Sequence, residues 1–263
     1  MVWIRFTTFD LTKSVPPSGR VNWGDTFFDL FFVAAAYNVG NIVVESPSGH
    51  GVLYFVTCFF ISLAMWRDKL FYDARFVVDD DLYHRFVEAM LFVVVAFGIV
   101  HINPVPIMAN PREHPDMFAV ALVATIFTSL GIVVYLEIYF NGVGQREVLR
   151  NVAIRDVRMR LLPFALQAAA TIVAGIEYFV HGAGASDSRM LAASQVNSTS
   201  PYQNDIPIYL LLGAILSQWM FLIISVQVML PKDGSHKDCT VPLNISLVIH
   251  RDGEWIILML GER

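Results

Sequence analysis

Residues 117–136 read MFAVALVATIFTSLGIVVYL, and residues 206–230 read IPIYLLLGAILSQWMFLIISVQVML. Neither stretch contains Asp, Glu, Lys or Arg. A helix needs roughly 20 apolar residues to cross the hydrocarbon core of a bilayer, where every backbone polar group must bond inside the helix. The two stretches therefore predict transmembrane helices.

Other apolar runs along the chain extend this pattern. With the first two, the predicted spans lie near 23–44, 51–71, 86–102, 117–140, 161–181 and 206–230. A seventh run, 241–260, is interrupted by His250, Arg251, Asp252, Gly253 and Glu254, so hydropathy leaves its crossing open. We expect an all-α, polytopic transmembrane helix bundle of six to seven spans, with 23–263 as one domain after an N-terminal segment, 1–22.

Composition supports a lipid environment. The chain is 56% hydrophobic and only 16% charged, with a mean hydropathy of +0.55, whereas globular domains carry about a quarter charged residues. The net charge of −5, with no basic patch interleaved with aromatics, indicates that nucleic acid is not a partner. Cys58 and Cys239 are too few for a disulfide framework. We expect the lipid bilayer as partner, and the sequence leaves a homo-oligomer open.

Lys and Arg are distributed unevenly between the loops. The segments before the first span and after the second, fourth and sixth hold nearly all of them, whereas the intervening loops hold Arg112 and Arg189. Because cytoplasmic loops carry the excess of basic residues, the N-terminus is predicted to be cytoplasmic. The sequon at Asn197 then lies outside and is a candidate glycosylation site. Which cellular membrane holds the protein cannot be read from the sequence.

Ionisable residues in or beside the spans are the candidate functional residues. They are Asp25, Asp29, Arg67, Glu88, Glu137 and Arg251. Asp25 and Asp29 are one helical turn apart and share a face with Phe32 and Ala36, which we expect to point into the bundle. Charges at membrane depth are expensive and mark functional sites by default. Two interpretations stay open, a polar pathway for protons or ions and a structural belt of charges near the interface.

Signatures of enzymes and cofactor sites are missing from the sequence. It contains no H-E-x-x-H, G-x-S-x-G, Walker A or G-x-G-x-x-G pattern. We therefore expect no enzymatic activity, no cofactor and no metal site.

Three motifs resemble the bacterial low temperature requirement protein A family. Residues 22–36, NWGDTFFDLFFVAAA, are similar to its opening span, which reads approximately W-x-E-L-F-F-D-L-V-F-V. Trp66 with 74–76 and 79–85, ARF and DDDLYHR, resembles its Trp-rich second span followed by N-R-F-x-x-D-D-x-x-x-R. Residues 250–262, HRDGEWIILMLGE, resemble E-R-x-G-L-F-x-I-I-x-L-G-E. Arg251-Asp252 here replaces the E-R pair, and Asp25-Thr26 stands where the family has an acidic residue before L-F-F-D.

The resemblance implies a multi-pass membrane protein linked by name to growth at low temperature. Family members continue with further spans after the last motif, so it also implies a short or truncated form. It raises the expectation that 241–260 lies in the membrane, and it brings neither catalytic residues nor a substrate. The leading hypothesis is a transporter or channel of unknown substrate, and the alternative is a structural or stress-adaptation membrane protein without transport activity.

Overall fold

Helices form almost all of the structure. The computed structural model of the chain describes residues 6–8, 23–45, 47–78, 82–102, 117–141, 146–188, 205–229, 248–249, 251–253 and 256. The elements are β1 (Phe6–Thr8), α1 (Trp23–Glu45), α2 (Gly49–Arg75), β2 (Phe76–Val78), α3 (Leu82–His101), α4 (Met117–Asn141), α5 (Arg146–Ser188) and α6 (Ile206–Met229). Residues 248–249, 251–253 and 256 are also helical.

Three of these helices are long and apolar enough to cross a membrane. They are Gly49–Asp73 in α2, Met117–Phe140 in α4 and Arg150–Glu177 in α5. The shorter apolar helical segments are Phe28–Val44, Phe86–His101 and Ile206–Phe221. The helical class and the membrane character that the sequence predicts are therefore confirmed, while the number of crossings is a separate question.

The helix α5 is longer than any span that hydropathy predicts. Its 43 residues extend over about 65 Å at 1.5 Å per residue, about twice the hydrocarbon thickness of a bilayer. The sequence predicts a span at 161–181 and an Arg-rich segment before it. In the structure the two are one helix, with Pro163 inside it, because the Arg-rich segment consists mostly of good helix formers and continues without a break.

Local signals in the sequence determine where two of the helices begin. Ser48 caps α2, since its Oγ accepts a hydrogen bond from the backbone N–H of Gly51 at 3.1 Å and its carbonyl accepts one from Val52 at 3.0 Å. A Ser side chain at this position satisfies an N–H that has no partner inside the helix. At α6, the carbonyl of Asp205 accepts a hydrogen bond from Tyr209 N at 3.2 Å.

Helices α4 and α5 pack antiparallel along their length. Phe118 near the start of α4 faces Phe179 near the end of α5, with ring centroids 6.0 Å apart. At the opposite end, Arg150 of α5 donates a hydrogen bond to the Tyr139 hydroxyl of α4 at 3.2 Å. The two helices therefore run in opposite directions through the bundle.

The same alternation extends to the other helices. Asp29 early in α1 meets Trp66 late in α2, so these two helices are antiparallel. Helices α2 and α6 are parallel, because His50 contacts Asp205 at their starts and Asp68 contacts Gln218 further along both. In this arrangement α1, α3 and α5 begin at the end of the bundle where α2, α4 and α6 finish. We refer to it as the charged end, since the clusters around Asp29 and Asp68 described below lie towards it.

Apolar residues fill the interior and also cover the outside. The main core joins all six helices, with Phe28, Val39, Tyr54 and Leu211 among its fully buried side chains. Large apolar side chains are nevertheless exposed on all six helices, up to 78% at Val44. A soluble monomer rarely exposes apolar surface so widely, whereas lipid tails are a suitable solvent for it. Between helices in lipid, close packing supplies the cohesion.

A short β-ribbon at the charged end was not predicted from the sequence. β1 pairs antiparallel with β2, and Thr7 lies opposite Val77 in the register. The pairing joins the segment before α1 to the connection between α2 and α3. Local pattern does not reveal it, because each strand has only three residues and they lie far apart in the chain.

Candidate functional site

A buried carboxylate lies at the centre of the charged end. Asp29, in the second turn of α1, is only 1% exposed. Its Oδ1 accepts a hydrogen bond from Trp66 Nε1 at 2.8 Å and another from Arg251 Nη2 at 2.9 Å. Arg251 is itself 8% exposed, so both charges of the pair are removed from solvent. Three segments far apart in the sequence thus meet at one oxygen atom.

Beside this pair, a lysine connects α2 with α3. Lys69 is buried, and its Nζ lies 2.5 Å from Asp73 Oδ2 and 3.7 Å from Glu88 Oε1. The ammonium group also lies 5.2 Å from the centre of the Phe28 ring, next to Asp29 in the chain. We call this group the Asp29 cluster. Its members are Asp29, Trp66, Lys69, Asp73, Glu88 and Arg251.

A second polar cluster lies on the other side of α2. Asp68 Oδ2 accepts a hydrogen bond from Arg160 Nη1 of α5 at 2.5 Å, and Gln218 Nε2 of α6 donates to both Asp68 oxygens at 3.2 and 3.3 Å. Arg160 also extends over Gly131 of α4, where an added Cβ would lie 3.2 Å from its Nη1. Three helices are joined through this one acid, and Arg160 extends the contact to α4. We call this group the Asp68 cluster. Its members are Arg67, Asp68, Tyr135, Asp156, Arg160 and Gln218.

Helical geometry explains why the clusters are separate. At 100° per residue, Trp66, Lys69 and Asp73 fall on one face of α2, and Arg67, Asp68 and Phe71 fall on the opposite face. The first face meets α1 and α3 and the second meets α5 and α6. One run of eight residues, 66–73, therefore supplies both sites.

Arg67 is packed against aromatic rings. Its guanidinium carbon lies 4.0 Å from the ring centre of Trp219 and 6.0 Å from that of Phe71. Its Nε is buried and has no hydrogen-bond partner among the described residues. Nor does Arg67 form an ion pair with a carboxylate of any residue that the structure describes. Stacking on aromatic faces is favourable for a guanidinium but does not neutralise its charge.

The residues predicted from the sequence occupy different positions relative to these clusters. The structure brings Asp29, Glu88 and Arg251 into the Asp29 cluster and Arg67 into the Asp68 cluster. Glu137 is partly exposed on α4 and makes no hydrogen bond or ion pair with another described residue. The side chain of Asp25 and the whole of Asn197 lie outside the described residues.

Sequence reasoning missed Asp68 and Gln218 as site residues, and it treated Arg160 only as a topology signal. A usable signal did exist, because Arg67-Asp68 follows an apolar helix face and is rotated away from Trp66 and Lys69. Gln218 stands in a helix that carries no charge at all. Nothing local to either position indicates that the two side chains meet.

The opposite end of the bundle carries a smaller polar contact. His50 Nε2 lies 2.8 Å from Asp205 Oδ1, with both side chains 34% exposed. The His50 ring also packs edge-on against Tyr54, with centroids 4.8 Å apart. This pair joins the starts of α2 and α6.

Between the two ends, apolar side chains predominate, with a few buried polar ones such as Thr128 and Gln167. Two cavities near Phe32 and Ser62 hold only about 10 Å³ each, which is the least that a single water needs. Thr57 and Ser62 donate hydrogen bonds to carbonyls of their own helix at 2.9 Å. These two cavities are too small to carry a solute between the ends.

The side chains present also limit the chemistry. Among the residues that the structure describes, no three His, Cys, Asp or Glu side chains are grouped so that they could hold a metal ion. Within the described residues, the charged end contains paired charges and the Arg67 guanidinium, which has no carboxylate within ion-pair distance. A partly open cavity lies next to this guanidinium. No protein-family model, curated protein or solved structure matches the chain.

Proposed function

We propose that the protein is a multi-pass membrane transporter or channel for a small charged solute or proton. The bundle then has six or seven spans, a cytoplasmic N-terminus and the charged end on the cytoplasmic side. The observation that carries this proposal is the Asp29–Arg251 pair, an ion pair inside an apolar bundle between residues at opposite ends of the chain. Ionisable groups at such depth face a pathway or pair with one another, and they are retained where function needs them.

In this proposal Arg251 acts as a built-in counter-ion. We expect Arg251 to leave Asp29 in exchange for another positive charge, because burying a carboxylate without a counter-charge is strongly unfavourable. A proton or cation arriving from the charged end would compete for that oxygen. The cavities near Phe32 and Ser62 are too small for a solute, so we expect the helices to separate when one crosses. Arg251 moving away from Asp29 is the step that we link to this opening.

Flux across a liposome membrane is the direct test. The full chain is reconstituted, a proton or cation gradient is imposed, and the flux is compared for wild type, Asp29→Asn and Glu88→Gln. We expect flux in the wild type and a large loss in both variants, since each removes an acid from the Asp29 cluster. Glu137→Gln is the matched control, because this acid lies outside both clusters, and its flux should equal that of the wild type.

A structural role is the second candidate, and one observation favours it. In the Asp29 cluster every acid is within 4 Å of a base, and Asp29 also binds an indole N–H. Such a cluster of paired charges can hold helices together without transporting a solute. If the reconstituted wild type passes no ion under any gradient, and Asp29→Asn only lowers the yield of folded protein, the structural role replaces transport.

We also propose membership of the low temperature requirement protein A family. The support is the three motifs in order, together with the fact that one residue from each of them meets at a single contact. Asp29 comes from the first motif, Trp66 from the second and Arg251 from the third. A membrane position for 241–260 belongs to the same proposal. Val248 packs against the main core and Arg251 is buried, which favours that position.

A further inference from the structure

Arg67 differs from the other arginines near it at the charged end, because the two acids that share its cavity pair with them instead. Among the described residues it has no carboxylate within ion-pair distance, and its buried Nε has no hydrogen-bond partner. The two nearby acids form ion pairs with other arginines. Asp68 binds Arg160 and Gln218, and Asp156 lies 3.5 Å from Arg155. With those pairs neutral, one guanidinium remains, in a helix that is apolar enough to span a membrane.

A cavity adjoins this guanidinium. Its volume is about 70 Å³, it is partly open, and it lies between α2, α4, α5 and α6. The lining combines polar groups from the Asp68 cluster with an apolar wall of Phe71, Met159 and Phe221. Because one water needs about 10–15 Å³ on this measure, the cavity can hold several waters or one tetrahedral anion of similar size.

The donors around the cavity suit an oxyanion. Arg67 offers a planar fork of N–H groups, which matches the oxygens of phosphate or carboxylate. Its stacking on Trp219 fixes the plane of that fork. The opening lies at the end of the bundle where anionic headgroups of the cytoplasmic leaflet are expected to attract basic residues.

We propose that this cavity binds one phosphate-type oxyanion, with Arg67 as its principal ligand. The group belongs either to the headgroup of an anionic lipid or to a free phosphate compound, since both present the same oxygens. This inference goes beyond the proposed function, because the site exists whether or not the protein transports anything. It requires only that α2, α5 and α6 pack as described.

Thermal unfolding of the full chain in neutral detergent tests the site. Inorganic phosphate is titrated at constant ionic strength against chloride, and dioctanoyl phosphatidic acid is compared with dioctanoylglycerol, which lacks the phosphate. A ligand that binds the folded state raises the unfolding midpoint as its concentration increases. We expect Arg67→Gln to lower the apparent affinity for the anion about tenfold or more, because it removes a charged hydrogen-bond donor. Arg67→Lys should recover part of it.

The control is Arg158→Gln, an exposed arginine on α5 outside the cavity lining, which should respond like the wild type. Stabilisation by inorganic phosphate assigns the site to a free anion, and stabilisation by phosphatidic acid alone assigns it to a lipid headgroup. Equal effects of chloride and phosphate, or an undiminished response in Arg67→Gln, would overturn the proposal. If Arg67→Gln does not fold, Trp219→Phe carries the test. The change in tryptophan fluorescence on phosphate binding must then disappear in Trp219→Phe, while the rise in the unfolding midpoint persists. A fluorescence change that remains in Trp219→Phe would count against the site.

Discussion

Asp29 shows how a single residue can be both unfavourable in isolation and stabilising in context. A carboxylate surrounded by apolar side chains is tolerated only with close charged partners and hydrogen bonds. Here one oxygen accepts both an indole N–H and a guanidinium N–H. Bonds of this charge-assisted kind are roughly twice as strong as neutral ones. The pair therefore matters less for its net contribution than for what happens when half of it is removed.

Replacing both partners should cost clearly less than the two single replacements added together. Asp29→Asn removes the carboxylate that pairs with the buried Arg251, and we expect it to lower the free energy of unfolding by roughly 3–5 kcal/mol. The double variant Asp29→Asn with Arg251→Gln should lose clearly less than the sum of the two single variants. The measurement is equilibrium unfolding in detergent. Asp252→Asn is the control, since Asp252 is exposed next to Arg251. Additive effects of the two single changes would show that the pair does not form.

At this scale the sequence indicates which residues matter better than it indicates their partners. Asp29 and Arg251 stand out because charge in an apolar segment is unusual. The link from Asp68 to Arg160 spans 92 positions, and that to Gln218 spans 150. Those contacts depend on which helices are neighbours and how each is rotated. A single sequence holds no direct record of either.

At the scale of the element, hydropathy locates most helices well. The predicted spans 117–140, 206–230 and 23–44 differ from α4, α6 and α1 by about one residue at each end. Helix α5 departs from this because hydropathy measures solvent preference, whereas helix formation depends on the backbone. Charged Arg residues favour a helix as much as apolar ones do, so the helix continues beyond the lipid. The ribbon of β1 and β2 was missed for the converse reason, since it is fixed by partners and not by local pattern.

Gly98 lets α3 and α4 approach closely. A Cβ built at Gly98 would lie 3.0–3.4 Å from three atoms of the Val123 side chain. Gly98→Ala should therefore separate the helices and lower the free energy of unfolding by about 1–3 kcal/mol, as overpacking usually does. Gly40→Ala is the matched control, because nothing lies within 4 Å of its added methyl, and it should be neutral or slightly stabilising. Equal unfolding midpoints for the two variants would contradict this packing.

For the whole molecule, the alternating helix directions agree with the charge distribution between loops. Contacts between the helices and counts of Lys and Arg are independent observations, and both place odd-numbered helix starts at one end. The alternating directions of the described helices are thus consistent with the predicted alternation of the loops. The sequence could not predict how the interior between the ends is packed, because packing depends on side chains from helices that are distant in sequence.

Labelling of single cysteines tests the orientation. In a background with Cys58→Ala and Cys239→Ala, Pro47→Cys lies before α2 and Asn151→Cys lies early in α5, both at exposed positions. A membrane-impermeant maleimide added to intact cells should modify Pro47→Cys and should reach Asn151→Cys only after permeabilisation. The reverse pattern would place the charged end outside. In a glycosylating host, a mobility shift that Asn197→Gln abolishes would provide a second readout of the same orientation.

The pairing of residues 6–8 with 76–78 constrains how the polypeptide enters the bilayer. The outer backbone groups of a two-stranded ribbon need water, and the hydrocarbon region cannot supply it. Both strands must therefore lie in the same aqueous compartment, so the stretch from residue 8 to residue 76 has to leave and come back. We expect α1 and α2 to insert together as a hairpin, and the ribbon to close only once the second of them has returned.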